Sequence, residues 1–139
     1  MTKEKIFSSL GILPEEEMLA IKPNFKKLQI GIPKESSFQE NRVSLTPDSV
    51  GLLIANGHSV IIEKGAGLAS NFQDSEYTDK GAEIAYSKEE VFKANFILKI
   101  EPPTKEELAL MQKGQELISA VQMSTQANEY FKTLNQKNI

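Results

Sequence analysis

The chain has 139 residues, 40% of them apolar and 25% charged, with a formal net charge of −3 and no cysteine. That length supports one globular domain with a real core. The acidic balance, with no basic run denser than Lys26-Lys27, argues against nucleic-acid binding. Without Cys there are no disulfides, thiolate nucleophiles or Cys-based metal sites. No apolar run reaches membrane-spanning length or forms a signal-peptide core, so a soluble cytoplasmic protein is expected.

Residues 1–26 read as an amino-terminal helical arm. Ile6, Phe7, Leu10 and Leu13 suggest a short amphipathic turn or helix. Pro14 with Glu15-Glu16-Glu17 starts a second helix, which Pro23-Asn24 ends. Docking element and partly ordered arm both remain open.

From Lys27 the pattern becomes regular. Leu28–Ile32 is a short apolar run of strand type, and a polar loop leads to Thr46-Pro47. Pro47–Asn56 then has apolar residues at helical spacing and stops at Asn56-Gly57. Ser59–Ile62 is a β-branched strand running into Gly65-Ala66-Gly67. Asp74–Lys80 is a short helix closed by Gly81, and Glu83–Tyr86 a weak edge strand. Ser87–Ala94 reads as a helix with a Ser cap and Glu90 three residues on, a capping box. Phe96–Ile100 is a strand, Thr104–Lys113 a helix with a second such box and a Gly114 stop, Glu116–Val121 a strand and Thr125–Gln136 the last helix.

Strands alternating with helices imply crossover connections and a mostly parallel sheet covered on both faces. This is a single doubly wound α/β domain over residues 27–139, flavodoxin-like or Rossmann-like. Ligands in such domains sit outside the carboxyl ends of the strands. The residues there are Lys34 and Glu35 after the first strand, Glu63, Lys64 and the Gly-Ala-Gly loop after the second, Lys99 at the fourth, and Gln122 and Ser124 after the fifth.

Two of the cations stand out. Arg42 is the only arginine beside fifteen lysines, and it lies in a strand-to-helix loop. Its rigid fork can take a carboxylate or phosphate with two parallel hydrogen bonds, which an ammonium cannot; a structural arginine is the other reading. Lys99, in FILKI, puts an ammonium in an apolar strand, where uncompensated burial is costly. Either it faces a cleft and an anionic ligand, the preferred reading, or it has a fixed carboxylate partner. Because Arg42 and Lys99 follow what should be neighbouring central strands, their heads are expected to converge on one small acid.

Gly65-Ala66-Gly67 lacks the third glycine and the distal acid of a dinucleotide fingerprint, so it reads as a turn. His58, the sole histidine, precedes the second strand at the far end of the sheet and reads as a surface or capping residue, with no metal implied.

IGIPKE, ENRVSLTP, GHSVIIEKGAGLASNFQDSEY, GAEI and ILKIEPP, in that order, resemble the amino-terminal domain of alanine dehydrogenases and of the alpha subunit of nicotinamide nucleotide transhydrogenase. Alanine dehydrogenase is preferred. The resemblance covers about Lys27 to Ile139. It implies that Arg42 binds the substrate carboxylate and that Lys99 is the catalytic, substrate-binding group at the keto or carboxylate oxygen of pyruvate. It also implies NAD, held mainly by a separate nucleotide-binding domain, and a homo-oligomeric whole enzyme. Gln122 stands near the proton-relay position where typical alanine dehydrogenases carry a histidine, yet an amide cannot shuttle a proton at neutral pH. With no GxGxxG unit before Ile139, the chain is expected to form one wall of a two-domain cleft, to fold, and not to turn over alone. The alternatives are a transhydrogenase alpha-subunit domain, a non-catalytic regulatory domain of the same fold and, more distantly, a saccharopine dehydrogenase.

Overall fold

The computed structural model describes residues 26–122 and 124–139; apart from Lys26, the predicted helical arm lies outside them. Its elements alternate as expected. Strands β1 (Gln29–Ile32), β2 (Ser59–Glu63), β3 (Glu83–Ala85), β4 (Phe96–Leu98) and β5 (Glu116–Ile118) are separated by helices. These are α1 (Pro47–Ala55), α2 (Asp74–Asp79), α3 (Lys88–Val91) and α4 (Lys105–Leu110), and α5 (Asn128–Lys137) follows β5.

All strand pairs are parallel, and the order across the sheet is β3-β2-β1-β4-β5. That is the Rossmann-like order, with β1 in the middle and a reversal of direction between β1 and β4. Alternate residues of the strands serve opposite faces. Ile30 and Ile32 of β1 join Val60, Ile62, Val50 of α1 and Tyr77 of α2 in one core cluster. Ile97 of β4 joins Phe92, Leu108, Met111 and Tyr130 in the other. Between Ile30 and Ile32, Gly31 lets the end of α3 approach the central strand. A Cβ there would meet the Val91 carbonyl oxygen at 2.6 Å and the Ala94 Cβ at 3.0 Å.

Three helices are shorter than the sequence predicts, each because a buried side chain or a turn takes over. Met111 is extended and 3% exposed, so α4 stops at Leu110 to drop it into the core. Helix α3 ends at Val91, and the turn after it buries Phe92 and Ala94. Helix α5 begins at Asn128 because Thr125 is held in a turn, its backbone N–H and hydroxyl both donating to the Gln122 carbonyl.

Of the two predicted capping boxes, Thr104 and Glu107 form a full one. At α3 the Ser87 hydroxyl accepts from the Glu90 N–H, but the Glu90 carboxylate accepts from Tyr86, one residue before the cap. On α2 half of a further box, not foreseen, is formed: the Glu76 carboxylate accepts the Gln73 N–H at 2.6 Å. His58 sits at the amino end of β2, where its Nδ1 accepts the Leu28 N–H at 3.2 Å and ties the starts of β1 and β2 together.

Candidate functional site

The reversal of strand order opens a crevice outside the carboxyl ends of β1 and β4. Two segments line it: the loop 33–46 from β1 to α1, and the turn 99–104 from β4 to α4. The turn is clamped by Glu35. Its Oε1 accepts the Ile100 N–H at 2.7 Å, and its Oε2 accepts the Glu101 N–H at 3.4 Å and the Lys99 ammonium at 3.0 Å. Lys99 also donates to Glu107 Oε1 at 3.4 Å, the atom that receives Lys88 at 2.8 Å, while Glu107 Oε2 caps Thr104.

The result is an alternating row, Glu35, Lys99, Glu107, Lys88, whose first three side chains are 6%, 1% and 2% exposed. Alternation is what makes the burial tolerable, since each charge faces its opposite and the spare lone pairs take backbone N–H groups. Burial pushes the Glu107 carboxyl up, but Lys88, the Thr104 amide and Lys99 outweigh it and hold the group below the usual carboxylate range. Burial likewise opposes the charge on Lys88, and Glu107 more than offsets it, leaving its pKa raised.

This geometry corrects the expectation for Lys99. Its ammonium is sealed beneath the loop and already serves two carboxylates, which matches the structural alternative rather than an open cleft.

Arg42 lies on the crevice loop with a side chain 73% exposed. Its hydrogen bonds go to an acid that Lys99 does not touch. Its Nε and Nη2 donate to the two oxygens of Glu40 at 2.8 and 2.6 Å. The backbone around it is pinned on both sides: Ser70 donates to the Asn41 carbonyl at 2.6 Å, Ser44 to the Leu98 carbonyl at 3.2 Å, and Tyr77 to the Leu45 carbonyl at 2.9 Å. Hydrogen bonding to Glu40 raises the Arg42 pKa, with Glu101 and Glu35 adding to it electrostatically.

Gln122 is exposed beyond the carboxyl end of β5, and its side chain makes no hydrogen bond among the described residues. The Gly-Ala-Gly loop does not fit a dinucleotide. A Cβ on Gly67 would strike Tyr77 at 2.8 Å and Phe72 at 3.0 Å, while the Gly65 N–H is spent on Asp74 and the Ala66 N–H on the Glu63 carbonyl. Gly67 serves internal packing, and two of the three N–H groups of the loop are already used within the chain. Among the described residues no group of three or more His, Cys, Asp or Glu could hold a metal, and no helix is long and apolar enough to cross a membrane. A cavity of about 370 Å³ between α4 and α5, lined by Thr104, Leu108, Tyr130 and Thr133, includes neither Arg42 nor Lys99.

The profile of the family described as alanine dehydrogenase/PNT, N-terminal domain, matches residues 31–139. The chain belongs to this family. An alanine dehydrogenase of Staphylococcus saprophyticus is 41% identical over 97 residues, covering 70% of this chain and 26% of the relative. Among solved structures, an L-alanine dehydrogenase aligns with a TM-score of 0.75 at 36% identity, over 78% of this chain and 30% of its own. A transhydrogenase from Sinorhizobium meliloti aligns with a TM-score of 0.64 at 33% identity, over 67% and 28%. The chain thus spans about a quarter of the length of the curated relative it matches, as an alanine dehydrogenase/PNT amino-terminal domain.

Within this domain, sequence reasoning singled out Arg42, Lys99 and Glu35 but missed Glu40, Lys88 and the second role of Glu107. Glu40 had a visible signal, an acid two residues before the lone arginine. Glu107 was hidden by its capping box, which already accounted for an acid at that position.

Proposed function

We propose that residues 27–139 are the substrate-side domain of an NAD-dependent alanine dehydrogenase that interconverts L-alanine with pyruvate and ammonia, and that residues 1–26 are an arm. The observation that carries this reading is Arg42, an exposed guanidinium on a pinned loop at the strand-order reversal, in a chain similar along most of its length to alanine dehydrogenases. Arg42 would hold the substrate carboxylate through two parallel hydrogen bonds. Lys99 would act behind it, fixing Glu35 and through it the backbone of Ile100 and Glu101. NAD would be held mainly by a separate nucleotide-binding domain. The complete enzyme would be a cytoplasmic homo-oligomer acting on small molecules.

A transhydrogenase alpha-subunit domain is the second reading, favoured by two observations. Lys99 is committed to internal carboxylates, and Gln122 offers no titratable group. Kinetics of the complete enzyme separate the two. The dehydrogenase reading expects NADH oxidation that requires pyruvate and ammonia. It also expects Arg42→Lys to weaken kcat/KM for pyruvate by about 1.5–3 kcal/mol, the scale of a charged hydrogen bond, with little change in melting temperature. Hydride exchange between two nucleotides with no requirement for pyruvate would favour the second.

A further inference from the structure

Arg42 is not a free guanidinium but half of a chelate. Glu40 grips it at three points: Oε1 accepts both the Arg42 backbone N–H at 2.9 Å and Nε at 2.8 Å, and Oε2 accepts Nη2 at 2.6 Å. Main chain and head group are thereby closed into one ring through the same carboxylate. The two partners differ in access, because the Glu40 side chain is 6% exposed while that of Arg42 is 73% exposed. Glu40 is thus covered and Arg42 faces outward. Hydrogen bonds from Arg42 also hold the Glu40 carboxyl at about 2, so it stays a carboxylate through the neutral range.

A guanidinium presents five N–H donors in a rigid fork, and a carboxylate can take either the Nε/Nη2 edge or the Nη1/Nη2 edge with two parallel bonds. Glu40 takes the first. On the second, Nη1 makes no hydrogen bond among the described residues and Nη2 has one N–H left beyond that given to Glu40. The loop on either side of the pair is held by Ser70 on Asn41 and Ser44 on Leu98, so the chelate stands on fixed backbone.

We propose that Glu40 is a positioning residue of the substrate site: by occupying the Nε/Nη2 edge of Arg42 it fixes the guanidinium so that the Nη1/Nη2 edge receives the carboxylate of a small acid. This rests on the reading of Arg42 as the carboxylate ligand. The physical gain is preorganisation. A long exposed arginine otherwise loses rotamer freedom when substrate binds, and here the intramolecular carboxylate has already removed it. Glu40 also carries a negative charge that repels an incoming anion. Because the Arg42 side chain between them is 73% exposed, water screens that repulsion, whereas the ordering of the side chain is not screened.

The two effects move substrate affinity in opposite directions, which makes the proposal testable in the complete enzyme with pyruvate as the varied substrate. Glu40→Gln keeps the size and removes the ionic chelate. The expected result is a rise in KM for pyruvate of about three- to tenfold, the cost of ordering one rotamer-rich side chain on binding. Turnover, the KM for NADH and the melting temperature should change little. In an Arg42→Lys background, where there is no fork to position, the same substitution should leave the KM for pyruvate unaltered. A fall in KM with Glu40→Gln, or no change, would overturn the proposal by making Glu40 a competitor or a bystander, while the role of Arg42 stood. An equal rise in both backgrounds would overturn it too, because Glu40 would then act through the fold rather than through Arg42. If Arg42→Lys itself left the KM for pyruvate unchanged, the underlying reading would fail and the proposal with it.

Discussion

Lys99 shows how far a single residue can be read without its surroundings. An ammonium in an apolar strand must meet an anion, and that much follows from the cost of burying a charge. Which anion depends on residues 64 positions before it and 8 after it, Glu35 and Glu107. With its side chain 1% exposed between two carboxylates, Lys99→Met removes the charge and strands both partners. Urea denaturation of the purified chain should show a loss of about 3–5 kcal/mol, the penalty for breaking a buried pair from one side. Lys99→Met/Glu35→Gln should recover part of it. A variant as stable as the parent would return Lys99 to the class of cleft-facing cations. Arg42 is the opposite case: its rarity drew attention to it, and its position on an exposed loop leaves it available.

The element that does most for the crevice is α4, whose first turn does two jobs. Its capping box was legible because Thr-x-x-Glu is a local signal, needing only Thr104 and Glu107. The bond from Lys88 to Glu107 was not, since it joins two helices whose partners lie 19 residues apart. That bond gives the molecule a pH dependence with a definite sign. Glu107 is depressed from 4.5 in the fold, so its contribution is complete above that value and fades as pH falls through the lower folded value. Lys88 is raised from 10.5, so its contribution is complete below that value and fades only as pH rises through the higher folded one. The stability advantage of the parent over Lys88→Met should therefore be level across neutral pH and shrink in acid as pH falls below 4.5, as measured by urea midpoints. An advantage unchanged in acid would show that Glu107 is not the partner that matters.

At the scale of the whole molecule, the parallel sheet brings the loops after β1 and β4 to one edge. Of the glycines that might have held a dinucleotide, Gly67 is packed against Tyr77 and Phe72, and the Gly65 N–H is taken by Asp74. Titration calorimetry of the 139-residue chain with NADH should accordingly detect no micromolar site. Binding of that strength would overturn the division of labour between this domain and a separate nucleotide-binding one.

The alternation of strands and helices, the parallel doubly wound class and the edge position of β3 were all written in local patterns. Local patterns suffice there because periodicity, caps and turn residues act over a few positions. Only the tertiary structure decided where α3, α4 and α5 stop or start, since burial of Phe92 and Met111 and the turn at Thr125 override helix propensity at those ends. It alone separated the two cations as well. Arg42 and Lys99 do leave neighbouring strands, as expected, but a charge pairs with the carboxylate that reaches it first in space. Glu40 and Glu35 come from one loop, folded so that each cation meets its own acid.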